Sequence, residues 1–420
     1  MTVQIPHPSV VLHGDGIALA CGLAGDVRAD ELHGMFVGDT RVLSSYRITL
    51  AGQQWQLVGR NREGHGTATW TFQSPLIRTH RGEFAAGSLF LKLRRRVAGA
   101  FHDDLTIRGF GSERIETLLI VQLDSDFADI FEVKDRRLPP RLDVVRTSEG
   151  ERLTLRYERA GFRRALHIRF STSGTGQKSI EFVGSQIIFD IALDHAEEWT
   201  CCIHAEVELD GAIRAFAGDP HDPEPDANPE TAPTVRTEPV FQLPFERGSA
   251  DLHALAVTSG DTSYVSAGVP WFLCLFGRDT LVSALMSGVL GDWPARGALA
   301  ALATLQSTKR DDWRDAEPGK LPHELRRGEL AFRKAIPHAP YYGTHDAPAL
   351  YCLTLWNAWR WTGDQSLLDA HLETAQRALN WCDQLGDRDG DGLQEYATRS
   401  RLGYYNQSWK DAADAILDPT

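Results

Sequence analysis

Apolar and polar residues alternate along the first half of this chain. "TRVLSSYRITLAG", "LFLKLRRRV", "HDDLTIRGFG", "ERLTLRYERAG", "RRALHIRFSTS" and "SIEFVGSQIIFDIAL" tend to alternate apolar and polar residues, with Gly, Asp and Ser turns between the runs. A period of two predicts strands. Many short strands without intervening helices predict an antiparallel β-sandwich over residues 1–216. Such a module needs no active site, and a structural or carbohydrate-associated domain is as good a reading as any function of its own. Residues 217–239, "AGDPHDPEPDANPETAPTVRTEP", are rich in Pro and acid and nearly free of large apolar residues. They predict an extended, exposed linker without helix or central strand.

From residue 240 the period becomes helical. The pattern predicts helices near 244–258, 279–290, 294–307, 346–361 and 366–386, and a sixth starting near 409. The second helix reaches the third through "GDW" and the fourth reaches the fifth through "TGDQ", whereas the other links run about 20–40 residues, longer than ordinary connections. Helices joined by alternately short and long links place all the long links at one end of the bundle. Three polar clusters, "FGRDT" (276–280), "YYGTHD" (341–346) and "NQSWKD" (406–411), each open a helix there. Asp279, Asp346 and Asp411 stand 67 and then 65 positions apart, the period of one repeated helical hairpin. A helix N-terminus favours a carboxylate, so simple capping accounts for these residues as well. Capping does not require Arg278, His345, Trp409 and Lys410 beside them.

Composition narrows the function classes. The chain has 420 residues and a net charge of −13, which argues against a nucleic-acid surface. No apolar run is long enough to cross a membrane, and the N-terminal stretch lacks the pattern of a signal peptide, so a cytoplasmic protein is expected. Six cysteines without a CxxC spacing suggest neither zinc nor a disulfide framework. Asp387, Asp389 and Asp391 with Gly392 match the first half of a calcium-binding EF-hand loop, but its twelfth position is Thr398 instead of Glu. That loop reads as a Ca²⁺ site or as a polar loop delivering Glu395 to a ligand.

Three segments, "GVPWFLCLFGRDTLVSALM", "GKLPHELRRGELAFRKAIPHAPYYGTHDAPAL" and "GLQEYATRSRLGYYNQSWKDAADAI", together with "MFVGDTRVLSSYRITLAG" near the N-terminus, resemble the bacterial and archaeal glycogen-debranching, amylo-α-1,6-glucosidase-like proteins. The resemblance implies an (α/α)6 toroid whose six inner helices point their N-termini at a sugar pocket, with residues 240–420 as its first half. It implies that Arg278 and Asp279 hold hydroxyls of the terminal glucose and that Asp411 is the general acid. It places His323, Glu324, Asp346 and Glu395 along the sugar site, though a loop or capping role suits each of these four equally. Trp271, Tyr341, Tyr342, Tyr404, Tyr405 and Trp409 are available as aromatic platforms, and Lys410 flanks the acid.

Inverting glycoside hydrolysis needs one carboxylic acid and one carboxylate base about 6.5–9.5 Å apart. Asp411 needs a raised pKa for that work, so Lys410 is expected to point away from it. The family's base belongs to the second half of the toroid and matches no residue here, so the chain resembles a truncated form. A noncatalytic carbohydrate-binding fragment is the rival reading. A phosphorylase-type toroid is a third, without an extra basic cluster beside the motifs. An α-glucan or oligosaccharide partner is expected and no cofactor is required.

Overall fold

A computed structural model describes residues 9–79, 82–141, 143–174, 177–216, 218–222, 238–260 and 262–409. The chain divides into two compact units, Met1–Pro225 and Asp226–Thr420.

The first unit is built of antiparallel sheets. Its largest sheet runs in the order Val144–Glu149, Arg152–Arg159, Phe162–Gly174, Glu198–Leu209, Phe101–Gly109, Leu89–Val97, Thr67–Gln73 and Gln56–Arg62, with Ala212–Arg214 paired to Glu198–Leu209. A five-stranded sheet carries Gln177–Val183, Gln186–Leu193, Ile115–Asp124, Ser45–Leu50 and Gln53–Gln54. Alternation decides which side chains meet between them. Leu91, Leu105 and Ile203 of the large sheet share one core with Leu119, Val121 and Ile191 of the smaller. Phe189 packs against Phe170 and Trp199 with ring centroids 6.0 and 5.4 Å away. A third sheet, of five strands, begins with the hairpin Ser9–Gly14 and Ile17–Gly22.

One inward position breaks the apolar rule. Arg95 is fully buried, and strand pairing sets Asp103 directly opposite it. Two 2.8 Å bonds join the guanidinium to that carboxylate, and a third reaches the Gly25 carbonyl at 2.7 Å. The rings of Tyr46, Trp70 and Phe101 lie around it. A charge this deep is tolerated only when paired and hydrogen-bonded.

The second unit holds five longer helices among the described residues: α1 (Pro239–Ala254), α2 (Gly277–Met286), α3 (Trp293–Ala303), α4 (Ala347–Thr362) and α5 (Gln365–Trp381). Leu281 and Ala284 of α2, Leu299 and Leu302 of α3, Tyr351 and Leu355 of α4, and Leu367 and Ala375 of α5 form its core. The turn from α4 to α5 follows from its residues. Gly363 takes the left-handed conformation at φ 67° that glycine adopts without penalty, and the Asp364 side chain accepts from the Ser366 amide to start α5.

Several expectations change. The first helix lies earlier than the predicted 244–258, because Pro239 suits a first helical position, and it ends at Ala254. β-branched Val257 and Thr258 instead enter a hairpin, Ala256–Ser259 against Thr262–Val265. The predicted linker lies mostly outside the described residues. Of its described residues, 218–222 form a turn and not extended chain, since Arg96 donates to the carbonyls of both Asp219 and Asp222, and Glu238 and Pro239 are the N-cap and first residue of α1. The sixth helix, with Lys410 and Asp411, lies outside the described residues. Among the described residues, α2–α3 and α4–α5 form two helical hairpins.

Candidate functional site

The first turns of α2 and α4 lie side by side. Gly277 makes this approach possible, because a Cβ there would stand 2.1 Å from the Pro322 carbonyl oxygen and 3.1 Å from Ala347 Cβ. The next residue, Arg278, is buried and donates from Nη1 to Asp346 Oδ2 at 3.0 Å and to the Ser408 carbonyl at 3.1 Å. Its guanidinium also faces the Trp409 ring, 5.3 Å from the centroid. Three clusters far apart in sequence therefore converge on one arginine. Asp279 follows in the same first turn of α2, half-buried.

Side-chain capping does not explain Asp346. Asp346 occupies the N-cap of α4 without a side-chain cap bond, and the N-cap of α2 is Phe276. Asp346 instead accepts from the Thr344 hydroxyl at 2.5 Å and from Arg278. Burial opposes its ionisation, but the Thr344 hydroxyl, Arg278 and His345 outweigh burial and hold its pKa below the usual carboxylate range. His345 stands over the Tyr396 ring and lies 2.8 Å through Nδ1 from the Gln407 carbonyl. The mouth thus offers a fixed cation, an ionised carboxylate and an exposed indole, since Trp409 is 68% exposed. Sugar hydroxyls and ring faces are recognised by such groups.

Beneath the mouth lies a second polar layer. Leu275–Phe276 pairs with Glu324–Leu325, and the His323 carbonyl accepts from the Gly277 amide at 2.9 Å. Glu324 has no exposed surface; its oxygens accept from Arg326 Nε at 2.6 Å and the Tyr404 hydroxyl at 2.6 Å, and His338 Nε2 is 3.3 Å away. Burial favours its neutral form, yet Arg326, His323, His338 and the Tyr404 hydroxyl lower its pKa to about 2. Arg326 also donates to the Trp271 carbonyl at 2.9 Å, which ties that half-buried residue to the layer. His323 is buried among the rings of Phe276, Tyr341 and Tyr404.

Sequence reasoning missed Asp315, the hub of this layer. It is fully buried, and its Oδ1 accepts from the amides of Arg399 and Ser400 at 2.7 and 2.9 Å. Its Oδ2 accepts from the Tyr341 hydroxyl at 2.8 Å and Gln407 Nε2 at 3.2 Å. Four donors from three loop segments anchor the strand of chain that leads to Trp409. No local pattern marks Asp315, which sits in an ordinary polar loop.

Three residues expected along the sugar site have polar atoms engaged within the protein. Glu324 spends its oxygens inside the protein and orders the loops. Tyr342 is buried with its hydroxyl donating to the Leu305 carbonyl at 2.7 Å, so it offers no open platform. Glu395 accepts from the Arg388 amide at 2.6 Å, and its carboxylate gathers with those of Asp387, Asp389 and Asp391. Amides of Gly390, Gly392, Asp391 and Leu393 donate to the three aspartates, a pattern that turn formation by itself produces. Asp411 and Lys410, outside the described residues, follow Trp409 directly in the chain.

Residues 12–204 match the family described as the N-terminal domain of (some) glycogen debranching enzymes. No curated protein matches the chain. Among solved structures, one described as "Putative kojibiose phosphorylase from human microbiome" aligns with a TM-score of 0.58 at 10% identity, covering 91% of this chain and 57% of its own. This chain therefore spans little over half the length of that relative. A galactose mutarotase-like protein from Clostridium acetobutylicum aligns at 5% identity and a TM-score of 0.26 over 48% of this chain and 96% of its own, too slight a likeness to inform the fold.

Proposed function

We propose that this chain, whose residues 12–204 match the N-terminal domain of (some) glycogen debranching enzymes, serves hydrolysis of α-linked glucose chains of the amylo-α-1,6-glucosidase kind. The observation that carries this reading is the meeting of Arg278, Asp346, Ser408 and Trp409 at adjoining helix starts. In this reading α2–α3 and α4–α5 are two hairpins of an (α/α)6 toroid, and Arg278 with Asp279 grips the terminal glucose. Trp409 lies against its ring and Asp346 fixes the arginine.

Asp411 acts as the general acid. Trp409 is two residues before it in the chain. Proton donation to the glycosidic oxygen by Asp411 requires a carboxyl kept neutral by an apolar or enclosed setting. Water activation falls to a second carboxylate on the opposite face of the sugar. Ionised Asp346 does not donate a proton; paired with Arg278, it contributes binding and orientation.

The test is glucose release from maltooligosaccharides and branched dextrin, with and without inorganic phosphate, alongside calorimetric binding of the same sugars. Turnover lost in Asp411→Asn with sugar binding retained supports the reading. Turnover that requires phosphate would replace hydrolysis with phosphorolysis. Sugar binding without turnover in the unsubstituted chain would leave a carbohydrate-binding role instead. Arg278→Ala is expected to weaken sugar binding by about 10–100-fold, as expected for loss of a charge-assisted hydrogen bond worth about 1.5–3 kcal/mol.

A further inference from the structure

The first unit carries a cluster that the sugar site does not use. His102 and Asp104 lie two positions apart on Phe101–Gly109, and strand pairing sets Asp104 opposite Cys202 and His102 opposite His204 on Glu198–Leu209. The neighbours Phe101, Leu105, Cys201 and Ile203 belong to the core, so alternation turns this set to the outer face of the large sheet. The turn Asp219–Asp222, held by Arg96, brings His221 over them, with its ring 4.7 Å from that of His102.

Asp104 Oδ1 is the meeting point. His102 Nε2 lies 2.9 Å from it, His221 Nδ1 3.1 Å and Cys202 Sγ 3.3 Å. Cys202 Sγ and His221 Nε2 are 3.9 Å apart, and one donor atom from each of the four residues falls within 4.8 Å of the others. Bonds of about 2.0–2.3 Å in a tetrahedron put ligand atoms about 3.3–3.8 Å apart, so only small adjustments are needed to surround an ion.

We propose that His102, Asp104, Cys202 and His221 form a four-ligand site for a divalent d-block cation of the zinc class. Two imidazoles, one thiolate and one carboxylate suit such a borderline ion and not a hard cation, which prefers oxygen alone. Cys202 enters as thiolate and its proton passes to solvent. The outer partners fit a bound imidazole. With His102 Nε2 on the metal, its Nδ1 faces His204 Nδ1 at 3.4 Å, and His204 Nε2 faces Glu206 Oε1 at 3.5 Å. Metal-bound histidines are usually oriented by such a second hydrogen bond. Four protein ligands make a closed, structural site, whose consequence is to fasten residues 219–222 to the sheet.

The experiment titrates Co²⁺ into the full chain, free of any affinity tag and stripped with a chelator. The expected result is one Co²⁺ per chain with tetrahedral visible bands and a thiolate-to-cobalt charge-transfer band, displaced by Zn²⁺. Cys202→Ser is expected to abolish the charge-transfer band and Cys201→Ser, at the buried neighbour, to keep it. His221→Ala, at an exposed turn, is expected to weaken binding at least about tenfold, and His204→Gln, beside His102 Nδ1, about 10–100-fold. Octahedral bands alone, as the all-oxygen loop 387–395 would give, would overturn the proposal. So would a charge-transfer band that survives Cys202→Ser, or His221→Ala binding cobalt as the parent does.

Discussion

Arg278 Nη1 donates to Asp346 Oδ2 at 3.0 Å, joining the first turns of two helices that begin 70 positions apart in the chain. Both side chains are largely shielded, 9% and 21% exposed, so the pair is screened little by solvent. Arg278→Ala leaves Asp346 charged and mostly buried, with Thr344 as its remaining donor, and is expected to cost about 3 kcal/mol. Asp346→Ala leaves the arginine its bond to the Ser408 carbonyl and is expected to cost less. A double-mutant cycle by chemical denaturation should give a coupling of about 1–3 kcal/mol; a value near zero would show that the two residues act independently.

Glu324 sets an acid limit on the second unit. Its pKa is about 2 in the fold against an ordinary 4.5, so the folded form binds fewer protons than the unfolded one between those values. Its contribution is complete above pH about 4.5 and is lost as the pH falls through about 2, at most about 3 kcal/mol. Glu324→Gln is expected to be less stable at pH 7 and to lose less further stability on acidification. Denaturation curves from pH 7 to pH 2 check this through the difference in slope between the two proteins.

Asp315→Ala removes one acceptor from four donors, the Arg399 and Ser400 amides, the Tyr341 hydroxyl and Gln407 Nε2. Buried donors without partners cost about 1–3 kcal/mol each before relaxation, so a loss of at least about 3 kcal/mol is expected. Hydrogen exchange should quicken at the Arg399, Ser400 and Tyr404 amides more than in α3. Equal changes in both regions would mean that Asp315 supports the whole unit instead of the 398–407 loop.

Two glycines are expected to respond oppositely to alanine. At Gly277 the new methyl group would run into the Pro322 carbonyl, and overpacking of this kind costs about 1–3 kcal/mol. At Gly248, inside α1, a Cβ meets nothing within 4 Å. Gly248→Ala should stabilise by about 0.5–1 kcal/mol through the unfolded chain's lost freedom. Thermal melts of the two variants decide both signs.

Period by itself determined most of the architecture. Alternation at "LFLKLRRRV" and the helical spacing of 347–362 and 365–381 are local properties, because each element must turn its apolar side chains to one face. The clusters at Arg278, Asp346 and 406–409 were legible for the same reason: long links recur at one end of alternating helices. Tertiary structure decided what no local period contains. The hairpin 256–265 replaced the end of a predicted helix because two short segments could pair. Glu324 and Tyr342 looked ready for a ligand in sequence, yet their polar atoms are taken by Arg326, Tyr404 and the Leu305 carbonyl. Asp315 had no distinguishing neighbour, and its importance comes from donors at 341, 399, 400 and 407. The same holds for His102, Asp104, Cys202 and His221, which no metal-ligand spacing would select. Strand pairing and one tethered turn bring them together, because a hydrogen-bonded register, and not distance along the chain, sets which side chains share a face.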